Sequence, residues 1–299
     1  MYSRWKGQLI RWSQRRLQPL IHVALERVAR STAIVMEYPA YPRARWGWGA
    51  PPHPELEALL AEHADGYRSL LASFETHLPA LRRIPSVLED PSGGFWDNGF
   101  FGNLDGVALY GFVGERRPAR YMEIGSGFST RMAHRAIADA GLETKLVSID
   151  PSPRVEVDRM CDEVHRVRLE DAPLDLFDEL QRGDVLLVDG AHMAHMNSDV
   201  TVLFMEVFPR LAPGVLVGID DIFLPWDYPP EWARRWFSEQ YLLGVLLLSE
   251  DPRWRPVLAA WWVSQASDFA AARAPFAAAL ATRGGMLGMA WWMERAPHE

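Results

Sequence analysis

Two short stretches of this chain could do chemistry together. Val188-Asp189-Gly190-Ala191-His192 and Ile219-Asp220-Asp221 each end an apolar run in acid. As neighbouring parallel strands, their ends would lie about 4.8 Å apart. Asp189, Asp220 and Asp221 could then converge on one hard cation. Oxygen-only ligands favour magnesium, with water or substrate oxygens completing the octahedron. A metal would also relieve the repulsion among three close carboxylates. Alternatively, Asp221 caps the next segment. His192 stands in the turn just after Asp189. A histidine titrating near neutrality can take a proton from a hydroxyl as its oxygen attacks an electrophile. The alternative is a histidine bonded only to backbone. His195, a turn further on, reads as a structural neighbour.

A glycine turn precedes these stretches. Arg120 to Thr130 reads Arg-Tyr-Met-Glu-Ile-Gly-Ser-Gly-Phe-Ser-Thr. Tyr121, Met122 and Ile124 form a buried strand, Gly125 and Gly127 a tight turn, and Phe128 to Ala140 a helix. Such a turn brings backbone amides close to a ligand with no side chain in the way. The dinucleotide fingerprint requires a third glycine where Thr130 stands. Asp150 ends the next strand, about 20 to 25 residues on, where an acid can accept both ribose hydroxyls. Asp150-Pro151 could instead cap a short helix. Glu170 and Asp171 follow the third strand.

The elements that position these groups alternate. Strands are expected at 121–124, 145–150, 165–169, 184–189, 215–220, 257–263 and 286–293. Helices fall at 104–115, 128–140, 155–161, 174–180, 198–211, 231–248 and 268–282. Continuous apolar strands between helices imply a parallel sheet buried on both faces. Ligands sit at the carboxyl ends of such strands. These ends carry Glu123, Asp150, Asp189 and Asp220-Asp221.

An acid followed by Gly-x-Gly at the end of a first strand resembles motif I of the class I S-adenosylmethionine-dependent methyltransferases. The resemblance covers Leu104 to Arg295. It implies an α/β, Rossmann-like seven-stranded sheet, mostly parallel with the last strand antiparallel, and S-adenosylmethionine as cofactor. It assigns Glu123, Gly125, Ser126, Gly127, Ser129 and Asp150 to that cofactor, and one of Glu170 and Asp171, with Asp171 preferred, to its adenine amine. The Asp189, His192 and Asp220-Asp221 pattern resembles the metal-dependent macrocin-type sugar O-methyltransferases. That likeness implies His192 as base, Asp189, Asp220 and Asp221 as ligands of Mg2+, and a sugar or other polar small molecule as acceptor. The segment Ile222-Phe-Leu-Pro-Trp-Asp-Tyr-Pro-Pro-Glu-Trp232 departs from the macrocin type and is more similar to bacterial methyltransferases of surface sugars. Two other readings compete: a metal-independent N-methyltransferase, and a nicotinamide-dependent oxidoreductase on the same sheet, against which Thr130 counts.

With 299 residues the chain can bury one large core plus a small accessory part. A net charge of −8 is not that of a nucleic-acid-binding surface. The single cysteine, Cys161, rules out an internal disulfide or a cysteine metal cluster. No apolar run reaches the roughly 18 to 20 residues of a membrane span. No secretory signal is read, so a cytoplasmic protein is expected. Three regions are expected: a helical accessory part over 1–90, an aromatic lid or linker over 91–103 and the methyltransferase domain over 104–299. Residues 1–36 are basic and amphipathic. They could lie peripherally on an anionic membrane, bind a partner, or pack an apolar stripe on the domain. Trp96, Asp97, Phe101, Asn103 and Asp105 are candidates for a lid or pocket wall. A homo-oligomer is compatible with all of this.

Overall fold

The computed structural model describes residues 40–90, 93–249, 251–280 and 282–297. The chain divides into two compact units, Met1–Arg43 and Ala44–Glu299. The basic amphipathic stretch of residues 1–36 lies outside the described residues. The sheet and its flanking helices all belong to the second unit.

Seven strands form one sheet in the order β3-β2-β1-β4-β5-β7-β6. They are β1 (Arg120–Ile124), β2 (Lys145–Ile149), β3 (Glu163–His165), β4 (Val185–Val188), β5 (Leu216–Ile219), β6 (Trp254–Ala259) and β7 (Trp291–Arg295). β1 to β5 pair in parallel, and β7 runs antiparallel between β5 and β6. This is the seven-stranded, Rossmann-like sheet, mostly parallel with the last strand antiparallel, that the resemblance implied. β4 and β5 are buried at every position because helices cover both faces.

Register explains why the acids meet. Ile124 stands level with Ile149 and Val188, and Val188 with Ile219. The next residue of each strand is therefore Gly125, Asp150, Asp189 and Asp220, in one row. The ladder runs one step past the strands to hold that row. Gly125 N donates to Ile149 O at 3.0 Å, Asp189 N to Ile124 O at 2.8 Å, and Asp220 N to Val188 O at 2.8 Å. The strand order reverses between β1 and β4, which opens a crevice between their ends.

Helices α1 (Pro54–Glu62) and α2 (Ala64–Phe74) belong to the same unit as the sheet, and their Leu56, Leu60, Tyr67, Leu71 and Phe74 join its core. Helix α3 (Asn103–Arg116) is buried from Asn103 to Val113, and α4 (Phe128–Asp139) follows the glycine turn. The stretch expected to form one helix over 231–248 is instead a short 3-10 turn, Pro230–Trp232, and α5 (Glu239–Leu248). The sixth strand starts earlier than expected, at Trp254, and Ala260–Gln265 is helical. A short apolar run does not tell strand from buried helix by periodicity. The last strand begins at Trp291 rather than Met286, and the third ends at His165, where the sequence pattern placed its start.

The described aromatic residues are held by specific contacts. Trp48 packs against Trp226 and Trp261, with ring centroids 5.3 and 5.4 Å away. Asp227 Oδ2 accepts from the amides of Arg45 and Trp46 at 2.6 and 3.0 Å. Asp105 accepts from the amides of Met289 and Ala290 at 2.7 and 2.9 Å. Asn103 donates to Thr282 Oγ1 and Gly285 O, each at 2.7 Å, and Asp97 accepts from Thr282 Oγ1 at 2.6 Å. These three polar candidates tie down the approach to β7. From this stretch, Gly99, Phe100 and Phe101 face the crevice.

Candidate functional site

The crevice holds two connected hollows. The larger, about 720 Å³, is lined by the glycine turn, Asp150, Asp189, His192, Asp220, Asp221, Trp232, Arg235 and Phe237 among others. The smaller, about 360 Å³, is lined by Asp150, Pro151, Leu169, Glu170, His195 and Asp199 among others. Gly125, Asp150, Asp189, Gly190 and Ala191 line both.

The glycine turn is shaped for close approach. Gly125 has φ +81°, and a Cβ there would stand 1.8 Å from Asp189 O. Gly127 is extended, and a Cβ on it would meet nothing within 4 Å. Ser126 N donates to Asp150 Oδ2 at 2.8 Å, and Gly127 N to Thr130 Oγ1 at 2.9 Å. Both amides that a pyrophosphate would need are therefore already satisfied within the chain, the second by the residue standing in place of the third glycine. Asp150 also accepts from Ser152 N at 2.7 Å, and the residue lines both hollows. Asp150 therefore caps the turn at Ser152 rather than a helix, since the next helical turn, Asp158–Met160, begins well beyond it.

Two of the acids assigned to the cofactor sit elsewhere. Glu123 is fully buried behind the turn and lines neither hollow. It accepts from Ser129 Oγ and from Tyr121 Oη, the latter at 3.2 Å. Burial pushes its carboxyl up to about 8 against those hydrogen bonds. Ser129, turned toward Glu123, anchors the start of α4 and also lines the larger hollow. Asp171 is exposed and bonded to Arg168 at 2.8 Å, whereas Glu170 lines the smaller hollow.

Glu123 carries a pH prediction. An acid raised in the folded state binds its proton more tightly there than in the unfolded chain. Its contribution is therefore lost as pH rises from the ordinary carboxylate range toward 8. The span from 4.5 to about 8 corresponds to on the order of 5 kcal/mol. Urea unfolding without ligand should find Glu123→Gln gaining stability over wild type between pH 5 and pH 8. A constant difference between the two proteins would contradict this origin.

At the other wall, His192 is almost fully buried in the left-handed region, φ +60°, and Asp221 shares that conformation at φ +57°. Such backbone persists in non-glycine residues only where the surroundings hold it. Here the His192 carbonyl accepts from Ser238 N at 2.7 Å, and Phe237 lies against its ring at 4.8 Å. His192 Nδ1 is 2.8 Å from Glu239 Oε2, and Nε2 is 3.3 Å from Asp189 Oδ1 and 3.5 Å from Asp221 Oδ2. Burial alone would push the imidazole down, but Asp189 and Glu239 outweigh it and raise it well above the ordinary value. Burial pushes Asp221 up to about 6, and raises Asp220 further, with Asp189 and Asp221 adding to the effect. Asp220 Oδ1 is buried with no hydrogen-bond partner.

Glu239 was missed from sequence. It lies far along the chain, at the start of the apolar helix α5, where it is buried beside Gln240. A charged residue opening so apolar a helix was the available signal. Asp189 and Asp221 both approach His192 Nε2, at 3.3 and 3.5 Å. Among the described residues no group of three or more His, Cys, Asp or Glu is arranged to hold a metal ion.

Residues 122–222 match the family model described as a methyltransferase domain. No curated protein matches the chain. Solved structures similar to it include an O-methyltransferase from Bacillus cereus in complex with SAH (S-adenosylhomocysteine), at 15% identity over 77% of this chain and 91% of that one, TM-score 0.36. Another is the SAH-bound Podospora anserina methyltransferase PaMTH1, at 17% identity over 85% and 100%, TM-score 0.40. A third is the plantazolicin methyltransferase BpumL in complex with SAH, at 12% identity over 81% and 100%, TM-score 0.41. The matched segment runs from within β1 to the residue after Asp221 and so contains the glycine turn, Asp150, Asp189, His192 and Asp220-Asp221; over these residues the chain is similar to a methyltransferase domain.

Proposed function

We propose that the protein methylates a hydroxyl of a polar small molecule, such as a sugar, with His192 as the proton acceptor. One observation carries the reading: a buried histidine, fixed by a buried glutamate on one nitrogen, has its other nitrogen beside Asp189 and Asp221 in the wall of the hollow that the glycine turn also lines. S-adenosylmethionine supplies a sulfonium methyl carbon open to in-line displacement. Asp150 holds the ribose, and Glu170 rather than Asp171 faces the adenine. The bound donor would give its methyl to the acceptor oxygen, the carbon–sulfur electron pair remaining on sulfur, while the hydroxyl proton would pass to His192 Nε2. Glu239 fixes the tautomer by accepting from Nδ1–H. Positive charge brought into the cleft competes for Asp189 and Asp221 and loosens their hold on the His192 proton. The chain mainly aligns the reactants and excludes water.

The acids as arranged do not fit a divalent cation, because two of the three proposed ligands, Asp189 and Asp221, face His192. No step is routed through magnesium. Turnover is expected to persist in EDTA; its abolition, with rescue by Mg2+, would contradict this arrangement. The test of the reaction itself is product analysis. With S-adenosylmethionine and a panel of hydroxylated and amino acceptors, methyl ethers should form. Methylated amines alone would favour the N-methyltransferase reading.

A further inference from the structure

The larger hollow has an acidic floor but a cation on its outer wall. Arg235 lies on the loop between β5 and α5, beyond Asp221, and its guanidinium carbon stands 4.1 Å above the Trp232 ring and 5.6 Å from the Phe237 ring. All three residues line the hollow. Phe237 in turn packs on His192, so this wall adjoins the proposed base. Arg235 forms no ion pair among the described residues. Asp221 feels its charge, but from beyond ion-pair distance. A guanidinium lying on an aromatic face keeps its N–H edge open, and that edge matches a carboxylate or phosphate with two parallel hydrogen bonds. Arg154, the other arginine of the hollow, rests on Phe100 at 4.4 Å and belongs to the loop after β2, on the side of the glycine turn. The two cations are thus divided between the two ends of the cleft.

We propose that Arg235, held on Trp232, anchors an anionic oxygen group of the methyl acceptor, so that the substrate class is hydroxylated small acids, carboxylated or phosphorylated. This rests on the methyltransferase reading of the same cleft. The acidic floor then receives the hydroxyl, and the arginine wall receives the charge. A neutral polyol would leave the guanidinium edge unmatched.

The experiment uses the full chain saturated with SAH. That saturation is itself the separate readout on which the methyltransferase reading stands or falls. Three probes are titrated by calorimetry: benzoate, phenyl phosphate and benzamide. All three offer a ring to the Trp232 and Phe237 wall, and two of them offer an anion. At least one anion should bind tenfold or more tighter than benzamide, as a charged hydrogen-bonded pair implies. Whichever anion binds tighter identifies carboxylate or phosphate. Arg235→Gln should bring the three probes to equal affinity and leave SAH affinity unchanged, and Arg235→Lys should retain part of the preference. Equal or absent binding of all three probes to the wild type, or an anion preference that survives Arg235→Gln, would overturn the proposal.

Discussion

His192→Ala should lower turnover by roughly 10² to 10⁴ while the affinity for SAH stays within a few-fold of wild type. His192 lines the hollow, with Nδ1 held by Glu239 and Nε2 beside Asp189. Its loss removes the proton acceptor and leaves the glycine turn and Asp150 in place. The substitution also leaves Glu239 buried with no imidazole, so the variant's stability must be measured alongside. Glu239→Gln separates the two effects. It keeps an acceptor oxygen for Nδ1–H but removes the charge, so turnover should fall by a smaller factor, about tenfold to a hundredfold, with the pH dependence of kcat displaced. Full activity in His192→Ala would remove the histidine from the reaction.

The second large effect belongs to the glycine turn, and it divides its two glycines. In Gly125→Ala the new Cβ would stand 1.8 Å from Asp189 O, at a φ of +81°. The turn must move away from β4, at a cost of roughly 2 to 5 kcal/mol from strain and overpacking. SAH affinity should fall by a factor of about 100 or more, because the row shared by β1 and β4 is broken. Gly127→Ala meets no atom within 4 Å and needs no unusual φ. Its stability should change by less than about 1 kcal/mol. Its methyl enters the space kept for the ligand, so SAH affinity alone should fall, by about tenfold. Thermal unfolding and calorimetry on the two variants check this split. Equal destabilisation by both would contradict the geometry.

Much of this site can be read along the chain because β2, β4 and β5 each run directly into an acid. Once the strands are parallel and in register, Asp150, Asp189 and Asp220 must share a rim, and the pattern needs no side-chain detail. What fails to show is direction. Glu123 occupies the motif position, yet it alternates inward and is consumed by Tyr121 and Ser129. Glu170 and Asp171 are adjacent, and a single 3-10 turn decides which one faces the hollow. Glu239 reaches His192 from an element remote in sequence, so no local spacing announces it. Arg235 is similarly hidden in a loop whose path depends on the aromatic cluster around Phe223, Tyr228 and Trp261. The metal expectation came from counting carboxylates. The histidine placed among them, in a left-handed conformation, is a tertiary fact.

The most direct test is equilibrium binding of SAH to the wild-type chain, with Asp150→Ala and NAD as controls. Micromolar affinity for SAH, a loss of at least about 100-fold in Asp150→Ala, and no measurable binding of NAD are expected. Binding of NAD in place of SAH, or SAH affinity indifferent to Asp150, would contradict the assignment of this cleft to a methyl donor.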